Sequence, residues 1–381
     1  MAAMAAVAMA MANRFYRRMT PAILTAVILA AAAIAGCSGS SAVSGPGERD
    51  SGESEASGES DASGLSGAAQ ASAGGLNCLG APLASGYCLV WRDDFNGTAL
   101  DIGKWSYERN CWGGGNDEAQ CYVDDRENIW VADGRLHLKA IRKDATGPAL
   151  MDDHPGYDAQ DRSGSGTYTS ARLRSRGKGD WKYGRFEIRA KLPRGQGTWP
   201  AVWMLPTDWE YGQWASSGEI DIMEAVNLHV GGEDRVHGTL HYGGPAPENV
   251  YSGEAYRLPG AANPADGFHE YALEWEEGEI RWYVDGTHYA TQTSDGWYSR
   301  AAPDSPHAPF DRRFHLLLNL AVGGNWAGKV NATGIDESAF PQQMEVDYVR
   351  VYQCTRDPAT GRGCATLGEA AVHNPGRQPP N

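Results

Sequence analysis

Gly184-Arg185-Phe186-Glu187-Ile188-Arg189-Ala190-Lys191-Leu192-Pro193 alternates without interruption between apolar and charged residues. Phe186, Ile188, Ala190 and Leu192 make one face, and Arg185, Glu187, Arg189 and Lys191 make the other. Side chains along a strand alternate sides, so the pattern predicts a strand with one buried face and one wet face. Ile280, Trp282 and Val284 repeat it, and Asp285-Gly286 then supplies the turn of a tight hairpin into residues 287–292. Leu136, Leu138 and Ala140 follow a similar turn at Asp133-Gly134. No long segment has a convincing helical period, and 48 glycines with 20 prolines suit many short strands and turns. These features predict an all-β sandwich or barrel.

Within this β pattern, Glu219-Ile220-Asp221-Ile222-Met223-Glu224 places three carboxylates in six residues of an otherwise apolar strand. Ionised carboxylates resist desolvation and repel one another, so a core does not hold three without a task. In a regular strand Glu219 and Asp221 share a face and Glu224 points away. A β-bulge near Ile222-Met223 adds one residue and returns all three to one face. The two glutamate Cα atoms are then about 13 Å apart. Two side chains leaning together leave a gap near the ~5–5.5 Å of a retaining glycosidase pair. One or two such acids would suit a solvated face; three among Ile, Met and Ala do not.

The neighbouring motifs extend this reading. The opening strand leads into Gly197-Thr198-Trp199-Pro200-Ala201-Val202-Trp203-Met204-Leu205-Pro206, then Tyr211-Gly212-Gln213-Trp214 and Ser217-Gly218. Later come Val236-His237-Gly238-Thr239-Leu240-His241-Tyr242-Gly243-Gly244 and Phe268-His269-Glu270-Tyr271-Ala272-Leu273-Glu274-Trp275. Asn319-Leu320-Ala321-Val322-Gly323-Gly324-Asn325-Trp326 and Val346-Asp347-Tyr348-Val349-Arg350-Val351-Tyr352 complete the series. In this order and spacing the chain resembles glycoside hydrolase family 16, most closely its bacterial laminarinase-like branch, over residues 89–352. The resemblance implies a β-jelly-roll sandwich of two curved antiparallel sheets with a substrate cleft across the concave one. It implies retaining hydrolysis of internal β-1,3-glucosidic bonds, with Glu219 as nucleophile, Glu224 as acid/base and Asp221 tuning the pair. Mixed-linkage glucan, agarose, carrageenan and transglycosylation are the alternatives within the family. A non-catalytic glycan-binding protein is the alternative outside enzymology, and the retained acid trio speaks against it.

Thirteen tryptophans is many for 381 residues, and indoles are good platforms for the apolar faces of sugars. Trp199 and Trp203 share a strand face, and Trp214 lies five residues before Glu219. By resemblance these three are cleft residues, as is His241, while Trp282 and Trp91 are assigned to the core. His237 and His241 share a face but stand about 13 Å apart, too far to hold one metal. Asn128 and Gln120 fall in stretches that border the sugar-binding subsites of the family, with Cys121 where an aromatic is more common. The resemblance requires no cofactor for catalysis. It admits a structural calcium far from the cleft, for which Asp347 and the backbone of Gly134 are the fitting positions.

The chain bears a formal charge of −15 and has no basic cluster beyond its start, which argues against nucleic acid as a partner. Arg14, Arg17 and Arg18 precede an apolar run at 22–35 that ends in Ile34-Ala35-Gly36-Cys37. This predicts an exported lipoprotein signal at 1–37, with Cys37 lipidated and holding the protein to a membrane. Residues 38–76, rich in Ser, Gly, Ala and acids, cannot bury enough apolar surface to order and read as a tether. A single catalytic domain is expected at 77–365, acting as a monomer, with a frayed tail at 366–381. Six further cysteines fall into pairs ten residues apart, Cys78/Cys88, Cys111/Cys121 and Cys354/Cys364. Export favours disulfides, local ones first, with a bridge between the two chain-end pairs as the rival.

Overall fold

The structure, a computed structural model, describes residues 71–73, 75–232, 234–377 and 379. The signal segment, Cys37 and residues 38–70 of the tether lie outside the described residues. Two large sheets dominate. One orders its strands Asn249–Tyr256, Val236–Gly243, Glu219–Glu224, Thr198–Pro206, Phe314–Val322, Arg172–Arg174 and Ser106–Tyr107. The other runs Val372–Asn374, Thr287–Thr293, Glu279–Val284, His269–Glu276, Gly184–Lys191, Gln342–Cys354, Arg135–Gly147, Gly164–Ser170 and Gln120–Tyr122. Pairing is antiparallel except where Val372–Asn374 and Gln120–Tyr122 lie parallel to their neighbours. Both expected turns are present: Asp133 and Gly134 have φ of 53° and 70°, and Asp285 and Gly286 have 49° and 73°. Positive φ at both central residues is what the right-handed twist of a two-residue hairpin demands.

The sheets share one apolar core. Phe186 and Ile188 of one pack in the same cluster as Val202, Met204, Ile220 and Leu318 of the other, and all are fully buried. Burying side chains of this size stabilises the fold by about 1.5–3 kcal/mol each. Trp282 is buried, and Trp91 packs against the core edge-to-face with Trp105 and Trp181. All three disulfides are local: Cys78–Cys88, Cys111–Cys121 and Cys354–Cys364.

Two expectations change. The outer face of Gly184–Lys191 was read as wet, yet Arg185 and Glu187 are each only 8% exposed. Arg185 Nε donates to Glu187 Oε1 at 2.7 Å and Nη1 to Glu274 Oε1 at 2.8 Å, beneath Thr366, whose hydroxyl also donates to Glu274. The segment after Cys364 is the cover. It was read as frayed, but Val372–Asn374 adds a strand beside Thr287–Thr293, and Arg377 N donates to Gly296 O and Tyr242 OH. Polar composition hid this because backbone hydrogen bonds, rather than apolar side chains, hold the segment.

Candidate active site

The acid strand is bulged where its parity requires. Asp221 pairs with Trp203, Met223 with Val202 and Glu224 with Ala201, so Ile222 is the extra residue. On the other side Asp221 pairs with Thr239 and Glu224 with His237, three steps against two. Ile222 and Met223 consequently both turn into the core, at 2% and 1% exposure. Glu219, Asp221 and Glu224 share the opposite face. The bulge is braced from the far sheet, where the Trp282 indole N–H donates to the Asp221 carbonyl at 2.8 Å. Gly238 makes room for that indole: a Cβ there would stand 2.3 Å from Trp282 Cδ1.

Each glutamate receives one indole hydrogen bond. Trp214 Nε1 donates to Glu219 Oε2 at 2.7 Å, and Trp199 Nε1 to Glu224 Oε1 at 2.9 Å. His241 Nε2 lies 3.6 Å from Glu219 Oε1 and 3.2 Å from Asp221 Oδ2. Asp221 is 1% exposed, and its Oδ2 has no hydrogen-bond partner. Burial pushes all three carboxyls up, and the charge of Asp221 adds to the effect on both glutamates. Glu219 and Glu224 reach about 8, held back by His241 and the indole donors, while Asp221 rises well above the usual carboxylate range. Three such groups cannot all be ionised at neutral pH, so the trio holds protons as a coupled set.

The expected aromatic residues converge on this face in different ways. Trp214 is half-buried with its ring 5.6 Å from that of His241, which faces Tyr251 at 5.8 Å. Trp203 is half-buried, donates to Asn319 Oδ1 at 2.7 Å, and has the Arg172 guanidinium 4.6 Å from its ring. Trp199 is only 9% exposed and stands edge-to-face with half-buried Trp326, so it orients Glu224 more than it offers an open platform. Trp326 also meets the His237 ring at 5.1 Å. Sequence reading quoted Trp326, Asn319 and Glu118, the last in the stretch 115–120 beside the sugar-binding subsites, without giving them a role, and missed Arg172; short loops and strand pairing bring them together from distant segments.

Asn128 does not join them. It is fully buried, and its amide donates to Lys139 O at 2.9 Å and Thr169 Oγ1 at 3.0 Å. It ties strands together rather than facing a ligand. Gln120 is likewise buried, donating to Glu118 and accepting from Val322 N. Asp347 Oδ2 accepts from Arg189 Nη1 at 2.5 Å, while Gly134 closes its hairpin. A calcium ion needs six to eight oxygen ligands with acidic charge among them. A guanidinium lies on that carboxylate, and a calcium ion there would have to displace it. Among the described residues, Glu219, Asp221 and His241 are the grouping whose ligand atoms, within 4.8 Å of one another, could chelate a metal.

Comparison with known proteins agrees with the geometry. The family described as glycosyl hydrolases family 16 matches residues 117–350. A glucan endo-1,3-beta-glucosidase A1 of Niallia circulans is 44% identical over 280 residues, covering 71% of this chain and 39% of that protein. The chain thus spans about two-fifths of that relative. A beta-glucanase of Rhodothermus marinus is 44% identical over 272 residues, covering 70% of this chain and 85% of the relative. Among solved structures, the laminarinase catalytic domain of Thermotoga maritima is 37% identical, with a TM-score of 0.57, over 70% of this chain and 98% of that one. Motif order, a bulged acid strand and identity over most of the domain concur: this chain belongs to glycosyl hydrolases family 16.

Proposed function

We propose that the protein hydrolyses internal β-1,3-glucosidic bonds of β-glucans such as laminarin, with retention at the anomeric carbon. The observation that carries this is one bulged strand presenting two indole-bonded glutamates about a buried aspartate. The relatives named as endo-1,3-beta-glucosidase and laminarinase support the linkage. Glu219 is the nucleophile. Its carboxylate oxygen bonds to the anomeric carbon as the glycosidic C–O bond breaks, and Glu224 gives its proton to the departing sugar oxygen. Glu224, now a carboxylate, takes a proton from water; the water oxygen bonds to the anomeric carbon and Glu219 leaves. Burial keeps Asp221 protonated, which removes the negative charge that would raise Glu219 and so favours ionisation of the nucleophile. Trp203 and Trp214 stack on sugar rings, and His241 orients the carboxyls.

The test is product analysis of the 78–381 fragment on laminarin, lichenan, agarose and carrageenan. Laminari-oligosaccharides of β-configuration at early times are expected. Cleavage confined to a galactan would overturn the linkage, and silence from a folded protein would favour a glycan-binding role.

The protein acts, in this reading, as a monomer held to a membrane by lipid on Cys37. The apolar run ending at Cys37 and the acidic tether support the anchor, and among the described residues no helix is long and apolar enough to cross a membrane. Labelled palmitate should enter the wild-type protein in a bacterial host and not Cys37→Ala.

A further inference from the structure

Glu118 stands where two walls of the site meet. Its carboxylate accepts from Gln120 Nε2 at 2.7 Å, Asn116 Nδ2 at 3.4 Å and Tyr122 OH at 3.5 Å. The Tyr122 hydroxyl accepts from Asn319 Nδ2 at 3.1 Å, and Asn319 Oδ1 accepts the Trp203 indole N–H. A continuous chain of hydrogen bonds therefore links Trp203 to Glu118. On the other side Gly324 lies so close that a Cβ there would be 3.0 Å from Glu118 Cγ. Gly324 opens the short helical turn Gly324–Ala327, whose Trp326 meets Trp199, the donor to Glu224, edge-to-face.

The surrounding loop is shaped to this one side chain. Gly114 has φ of 58°, and a Cβ on it would stand 2.1 Å from Glu118 Oε1. No other residue type leaves space for the carboxylate there. The Cys111–Cys121 disulfide closes the loop about it, and Glu118 bridges to Gly323 in sheet fashion. A half-buried carboxylate on a surface loop would ordinarily turn to water; this one is enclosed.

We propose that Glu118 is a positioning residue that sets both the Glu224 acid and the Trp203 platform through these contacts, without touching the reacting atoms. The proposal rests on Glu224 being the acid. The titratable and charged groups facing Glu118 are Arg172 and Tyr122 from neighbouring strands and Glu224 across the site; Gly324–Ala327 contributes none. Glu118 is one of the charges that raise Glu224, after burial and Asp221.

The experiment compares wild type, Glu118→Gln and Glu118→Ala by laminarin kinetics from pH 4 to 10, thermal melting, and NMR titration of the Glu224 carboxyl carbon. Glu118→Gln keeps the shape and loses the charge. Its alkaline limb of kcat/KM and its Glu224 titration should move toward acid by about half a pH unit, with melting close to wild type. Glu118→Ala breaks the chain and should lower kcat/KM about a hundredfold, an effect that Gln largely rescues. An unshifted Glu224 titration in Glu118→Gln, together with an Ala variant that loses only thermal stability, would overturn the proposal. An inactive wild type whose Glu224 titration still responds to Glu118→Gln would keep this inference and defeat the assigned reaction instead.

Discussion

Both sheets bury carboxylates, and they do so in opposite ways. On the sheet that contains Gly184–Lys191, Glu274 is fully buried but surrounded by donors: Arg185 at 2.8 Å, Tyr283 OH at 2.8 Å, and Thr366 through both its amide and its hydroxyl. On the other sheet Glu219, Asp221 and Glu224 lie among one another, with no arginine or lysine paired to them among the described residues and an indole donor for each of the two glutamates. A paired carboxylate is a strut, since its charge is neutralised where it sits. A carboxylate crowded by like charge holds its proton against water and is available to transfer it. Partners, rather than burial, separate structure from chemistry here.

The contrast is sharpest in the conservative variants of the trio. Glu219→Gln and Glu224→Gln should each lower kcat by about four orders of magnitude while the domain stays folded. With an activated leaving group, azide should restore turnover to a Glu224→Ala variant and not to Glu219→Gln; the reverse would exchange the two roles. Glu274→Ala should do the opposite. Arg185 keeps Glu187 but loses its most buried carboxylate, and Tyr283 and Thr366 lose their acceptor, which together costs about 3 kcal/mol in denaturant-measured stability, with kcat/KM of the folded fraction unchanged. Equal loss of activity there would dissolve the distinction between the two faces.

The link between the sheets comes next in size. Trp282→Phe removes one hydrogen bond to the bulge, worth about 1 kcal/mol of stability. Because the bulge sets the parity of the acids, kcat should fall about tenfold as well. A variant that loses stability alone would show that the bulge holds itself.

The acids should also leave a pH signature on stability. Their folded pKa values are raised, so the native state holds more protons than the unfolded chain, and stability falls as pH rises from the ordinary carboxylate range through about 8. Glu224→Gln removes one such group. Its melting temperature should match wild type at pH 4 and exceed it increasingly toward pH 9; a constant offset would contradict the raised pKa. The smallest effect is expected from deleting residues 368–381, which removes the Val372–Asn374 pairing and the Arg377 contacts. Melting should drop by a few degrees with kcat/KM unchanged.

Much of the site could be read from the chain because its logic is local. The parity conflict between Asp221 and Glu224 announced a bulge, and Ile222 supplies it. The spacing of Trp199 and Trp203 placed both on the acid face. Asn128 misled because its neighbours in sequence border the site while its own side chain turns between strands. Arg172 gave no local signal and Glu118 was marked only by the stretch it shares with Gln120, since each matters for what distant segments bring beside it.

The sequence by itself determined the all-β class, the turns at Asp133-Gly134 and Asp285-Gly286 and the bulged acid strand, and it favoured local pairing of cysteines, which the structure decided. Each follows from alternation, turn stereochemistry or short loop closure within a few residues. Only the tertiary structure decided that Arg185 and Glu187 are buried, that the tail is bound, that Trp282 braces the bulge and that Glu118 joins two walls. These depend on which remote groups meet across sheets. Local patterns of polarity say which side chains prefer water, but not which of them will find a partner that replaces it.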